Sequence, residues 1–128
     1  MEYKEYANFM NSLRDLNQKG GKFTRAANTV MDIIGKIRKK LPVSEVFQGV
    51  QTTNHGENRI KNCIKYDLTG FSRLVTIQTN DICLLMFVGD HDSCEDWLNK
   101  NNGLTPISGI VFDSNSSTIS TVHKSDNI

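Results

Sequence analysis

Two residues stand where side-chain chemistry is most readily done. His91 follows the apolar run Ile82 to Val88 and the step Gly89-Asp90, and it precedes a stretch with helical patterning. A residue at a strand end is held by a rigid scaffold yet open to solvent. An imidazole, with a free pKa of about 6.5, gives or takes a proton near neutral pH. The same position also suits a helix cap or a surface histidine, and the flanking Asp90 and Asp92 would repel a phosphate. Arg73 opens a run rich in β-formers. Its guanidinium fork can grip an anion in two places, or it can pair with Asp67 or Asp90. His91 and Cys94 have His-x-x-Cys spacing, but one such pair does not make a zinc site. His55 and His123 lie in polar, loosely patterned segments. No glycine-rich nucleotide motif, metal cluster or Ser/His/Asp set competes, so neither a metal nor another cofactor is expected.

Charge is distributed unevenly around these residues. The formal net charge is +1. From Lys19 to Arg73, however, eleven Lys and Arg face four Asp and Glu, a net +7. From Asp81 to Asp113, six acids face one lysine, a net −5. A segregated basic region suits a phosphate backbone or an acidic partner; solvated helix faces are the plainer reading.

The elements that must position these residues are readable from periodicity. Residues 3–18 place Tyr3, Tyr6, Phe9, Leu13 and Leu16 at helical spacing, and Gly20-Gly21 breaks it. Residues 23–41 repeat the pattern with Phe23, Ala27, Val30, Ile34, Ile37 and Leu41. Thr24 is the candidate cap. Lys36, Arg38, Lys39 and Lys40 suit the negative end of the helix dipole, and Pro42 stops it. Two such helices joined by a short glycine turn predict a hairpin. Residues 60–68 then alternate, with Ile60, Ile64, Tyr66 and Leu68 inward and Lys61, Cys63, Lys65 and Asp67 outward. Residues 73–79 read as a second strand. Residues 82–88 form an unbroken apolar run, the mark of a strand covered on both faces. Asp92 to Lys100 reads as a short helix, capped by Asp92 or Ser93, with Trp97 and Leu98 as its apolar contacts. Ile110-Val111-Phe112 is a candidate edge strand in an otherwise loose Ser/Thr/Asn-rich tail. The expected fold is therefore α+β: an N-terminal helix hairpin packed on an antiparallel β-meander, with a short helix after the last core strand. Residues 1–107 are expected to form the domain and residues 108–128 the edge strand and tail.

The chain of 128 residues fits one domain with a real core. No segment approaches the length of apolar sequence needed to span a membrane. Met1 to Glu5 lacks the pattern of a signal peptide. Three cysteines, Cys63, Cys83 and Cys94, lie in different elements. An odd number so placed implies free thiols in a reducing compartment, and hence the cytoplasm.

The stretch IKYDLTGFSRLVTIQTNDICLLMFVGDHDSCEDWL, preceded by the helix hairpin, resembles the core of the RelE/ParE toxin superfamily, the HigB- and YoeB-like branches in particular. Gly70-Phe71-Ser72-Arg73-Leu74-Val75 resembles the family's Arg-Leu-Val strand. Leu85-Met86-Phe87-Val88-Gly89 followed by Asp90-His91 resembles its Phe-Val-Gly-Thr-His segment. The spacing from Arg73 to His91 is close to that of the family's strand arginine and late histidine. The likeness covers about residues 22–100 and implies the RelE-like fold.

The resemblance also implies a toxin of a toxin–antitoxin system, acting as a ribosome-dependent mRNA endoribonuclease that blocks translation. Its partners would be a cognate antitoxin and mRNA on the ribosome. RNA cleavage of this kind needs a base for the 2′-OH, cations for the charge on the phosphorus oxygens, and an acid for the leaving 5′ oxygen. On that reading His91 takes a proton role and Arg73 the cationic role, while Lys65, Lys61 and Arg59 are candidate RNA contacts. This sequence departs from the family where Asp92, not Tyr, follows the histidine, and where the chain runs on from His91 to Ile128 through an acidic helix. A non-cleaving toxin acting on gyrase or another protein, or a non-catalytic accessory domain, is the alternative.

Overall fold

In a computed structural model of the protein, residues 1–53, 56–105, 111–112 and 119–121 are described. In chain order they form β1 (Glu2–Glu5), α1 (Phe9–Gln18), α2 (Lys22–Arg38), α3 (Val43–Val46), β2 (Gln51–Thr52), β3 (Cys63–Leu68), β4 (Ser72–Gln78), β5 (Ile82–Asp90), α4 (His91–Lys100), β6 (Val111–Phe112) and β7 (Ile119–Thr121). The fold is α+β. One five-stranded sheet has the order β1-β5-β4-β3-β2. Strands β3, β4 and β5 form the antiparallel meander, β2 adds an antiparallel edge, and β1 adds the other edge in parallel with β5. The helix hairpin lies on one face of the sheet, and α4 follows the last core strand onto the other.

Residues 3–8 depart from the helix that their spacing suggests. Glu2 to Glu5 pair with Ile82 to Leu85, and Tyr6 N–H donates to Leu85 C=O at 2.8 Å. The apolar strand β5 needs a hydrogen-bonding neighbour on both sides, and that demand outweighs local helical periodicity. Strand geometry then sends residues an odd number apart to opposite faces. Tyr3 packs with the helix hairpin, whereas Tyr6 reaches Trp97 of α4 with ring centroids 6.2 Å apart. The helix α1 starts only at Phe9.

Each face of the sheet carries its own core. The first joins Phe9, Leu13 and Leu16 of α1 and Ala26, Ala27, Val30, Ile33 and Ile34 of α2 to Tyr66, Leu68, Leu74, Leu85 and Val88. Tyr66 lies here as expected, stacked on Phe47 with centroids 4.4 Å apart. The second joins Val75, Ile77, Leu84 and Met86 to Ile60, Leu104 and α4's Cys94 and Leu98. Val75 pairs with Phe87 and Thr76 with Leu85, so Met86 is an extra residue in β5. This bulge turns both Met86 and Phe87 toward α4. Phe87 there stacks on Trp97, centroids 5.6 Å apart.

Several local expectations shift. Helix α2 starts at Lys22, so Thr24 is inside it and bonds Asn17 C=O instead of capping. Gly89 continues β5, and Asp90 rather than Asp92 or Ser93 caps α4, accepting from Ser93 N–H. Val111–Phe112 pairs with Ile119–Thr121 in a separate two-stranded sheet, not at the main sheet's edge. Ile110, His55, His123 and most of the 108–128 tail lie outside the described residues.

Candidate active site

Strand register brings Arg73 and His91 to one end of the sheet. Arg73 pairs with Gly89 and Ser72 with Asp90, so His91 is the next residue beyond the paired strands. Three bonds fasten this end. Phe71 C=O accepts from His91 N–H at 2.7 Å. Cys94 Sγ donates to Arg73 C=O at 3.4 Å and to Gly89 C=O at 3.5 Å. The absent side chain of Gly89 leaves room for the turn into α4, since a Cβ there would lie 2.9 Å from Phe87 Cε2 and 3.2 Å from Ser93 Cβ.

The two candidate catalytic residues are both reachable. The His91 side chain is half exposed, with Nδ1 3.4 Å from Asp92 Oδ1. The Arg73 side chain is 25% exposed and its Nε lies 3.3 Å from Asp67 Oδ1, so of the two expected partners it takes Asp67. Asp90 is engaged elsewhere: it caps α4 and pairs with Lys19. Those bonds hold its carboxyl down at about 2, Lys19 contributing most. One of the two acids beside His91 is thus neutralised by a lysine 71 residues away in sequence.

Two of the three candidate RNA contacts, Lys65 and Arg59, are engaged by one carboxylate. Lys65 was expected on an outward, solvated face. Its side chain is only 7% exposed and its Nζ lies 3.2 Å from Glu57 Oε1. Arg59 donates to Glu57 through its backbone N–H, Nε and Nη2 at 2.7–2.8 Å. It also reaches Glu95 Oε2 at 3.2 Å and Asn99 Oδ1 at 3.0 Å. The Glu57 side chain, 4% exposed, is the centre of this cluster. Hydrogen bonds from Arg59 lead the causes that hold its carboxyl at about 2, and Arg59 likewise lowers Glu95. The loop ahead of β3 folds over the face that alternation assigns to solvent. Lys61 precedes the strand, in a turn whose Asn62 has φ 64°, and is exposed.

The cysteines are packing groups. Cys83 and Cys94 are buried, Cys63 partly so, and burial pushes all three thiols up to about 12. Cys94 points into the core while His91 faces solvent, so the His-x-x-Cys pair does not converge. Among the described residues no three His, Cys, Asp or Glu come together as a metal site. None of the described helices is long and apolar enough to cross a membrane.

No family model matches the sequence, and no curated protein matches it. Solved structures with a similar chain path exist. A copper-bound mutant toxin from Helicobacter pylori has TM-score 0.48 at 17% identity, over 73% of this chain and 97% of that one. The DinJ–YafQ complex of E. coli has TM-score 0.48 at 12% identity, over 72% and 94%. A conserved hypothetical protein from Helicobacter pylori has TM-score 0.43 at 18% identity, over 72% and 96%.

Sequence reasoning missed three contributors. Glu57 sits in a polar loop that carries no periodic signal. Lys19 reaches Asp90 only through the tertiary fold. Phe71 lies between the turn and the residue-73 strand with no pattern to mark it, and it stands at the hairpin tip, 80% exposed with φ 60°.

Proposed function

We propose that this chain is a RelE-type toxin of a toxin–antitoxin pair, and that it cleaves RNA at the sheet end where Arg73 and His91 meet. The observation that carries the reading is the β4–β5 register with its fastening bonds, which brings the backbones of Arg73 and His91 to one end of the sheet, each with a side chain open to solvent. In the reaction, the 2′ oxygen attacks the adjacent phosphorus, forming a 2′,3′-cyclic phosphate and expelling the 5′ oxygen. Arg73 neutralises the charge gathering on the phosphorus oxygens. It must first exchange its Asp67 contact for phosphate, an exposed pairing that is weak in water. His91 takes a proton role, accepting the 2′-OH proton or supplying one to the 5′ oxygen. Exposed Lys61 is the remaining candidate contact from its segment; Lys65 and Arg59 are engaged by Glu57. The substrate would be mRNA on the ribosome, the partner a cognate antitoxin, and the compartment the cytoplasm.

A second reading is favoured by the internal neutralisation of Lys65 and Arg59, which removes two of the expected RNA-contacting cations: a toxin that binds gyrase or another protein without cleavage. Induced expression in bacteria separates the two. Growth arrest with new mRNA ends by primer extension, both lost in Arg73→Ala and His91→Ala, supports cleavage. Arrest that survives His91→Ala without new ends supports the binding toxin. Folded protein that causes no arrest rejects the toxin reading.

A further inference from the structure

Among the described residues, Phe71 is the aromatic placed worst for folding. It is 80% exposed, and its φ of 60° is a left-handed conformation that disfavours any residue with a Cβ. No other exposed large hydrophobic residue stands on its hairpin. An observed backbone outlier at a functional rim argues for a role in which the side chain's position matters.

The surroundings say which role. Gly70, φ 73°, lies so close to Lys22 that a Cβ would come within 2.8 Å of the lysine's Cβ and Cγ. The glycine therefore seats the Lys22 stem on the hairpin tip. That seat carries Nζ to 5.2 Å from the centroid of Phe71 and 5.3 Å from that of Phe23, while Lys19 Nζ stands 5.4 Å from Phe23. Among the described residues no carboxylate pairs with Lys22. The carbonyl of Phe71 is bonded to His91 N–H, so the hairpin tip and the start of α4 meet at one end of the sheet.

We infer that Phe71, with Lys22 beside it, is a stacking platform for an unpaired base of single-stranded RNA next to the Arg73–His91 site. An exposed ring flanked by an unpaired cation suits a nucleobase face joined to a phosphate. A duplex hides its base faces and would not use the ring. The inference rests on the RNA reading above and names a substrate-positioning residue for it.

The test uses a short fluorescein-labelled single-stranded RNA made uncleavable by 2′-O-methylation, read by anisotropy. Phe71→Ala should weaken binding about 5- to 100-fold, the size of one base–aromatic stack, and Phe71→Trp should restore it. Lys22→Ala should weaken binding and reduce its salt slope by about one. Phe71→Gly should melt no lower than wild type while binding as poorly as Phe71→Ala, which separates a ligand role from a folding role. Equal binding by wild type and Phe71→Ala would overturn the platform and leave the cleavage reading standing. Equal affinity for duplex and single strand would also overturn it. No binding by wild type would overturn the platform as well, while the cleavage reading stands or falls on the new mRNA ends seen on induced expression.

Discussion

The Glu57 cluster offers the sharpest physical test, because it pits burial against charge. Glu57 is 4% exposed and Lys65 7% exposed, so each needs the other. The Glu57 carboxyl is held at about 2 against an ordinary 4.5. At about 1.4 kcal/mol per tenfold change in proton affinity, that difference is worth about 3 kcal/mol of folded-state stability. It is an upper figure, since Arg59 is 22% exposed and solvent screens its share. The folded state holds the proton less tightly than the unfolded state. The contribution is therefore fully present above the ordinary carboxyl value of 4.5 and fades as pH falls through about 2. Replacing Glu57 by Gln leaves Lys65 buried without its counter-ion. Urea denaturation at neutral pH should show a loss of about 3 kcal/mol. The gap between wild type and Glu57→Gln should narrow on acidification and close near pH 2. The double variant Glu57→Gln, Lys65→Met should recover part of the loss, because no buried lysine is left without a counter-ion and Arg59 keeps Glu95. Parallel stability curves for wild type and Glu57→Gln over the acid range would refute the reasoning.

Three further outcomes follow from the same geometry. Asp90→Ala removes the α4 cap and the Lys19 partner and should cost about 1–2 kcal/mol by denaturation, with Asn closer to wild type. Leu98→Ala cuts a fully buried side chain between α4 and the sheet. It should cost about 2–5 kcal/mol and shift the emission of Trp97, the single tryptophan, as its stacking on Phe87 loosens. Native protein should react slowly with a thiol reagent at neutral pH and rapidly once denatured, because burial lifts Cys63, Cys83 and Cys94 to about 12; fast native reaction would refute that burial.

Much of this protein was decided locally and could be read locally. The helix hairpin follows from apolar periodicity and the Gly20-Gly21 break, the meander from alternation and turns, and the central strand from the unbroken run Ile82 to Val88. The adjacency of Arg73 and His91 was legible too, because a tight antiparallel pairing converts sequence spacing into spatial proximity. Other features came from long-range pairing, which no window of neighbouring residues reports. Strand β1 exists because β5 offered an unpaired edge, and that competition overrode a helical pattern at Tyr3 and Tyr6. Lys65 is buried because a loop closes over its face and brings Glu57, so alternation named its side of the strand but not what covers that side. Lys19 meets Asp90, and Lys22 meets Phe71, only once the hairpin packs on the sheet. Sequence periodicity determined the elements and which side chains share a face. Tertiary packing alone decided which charges are neutralised and which remain to meet a ligand, because electrostatic pairing depends on distance in space and on exclusion of water.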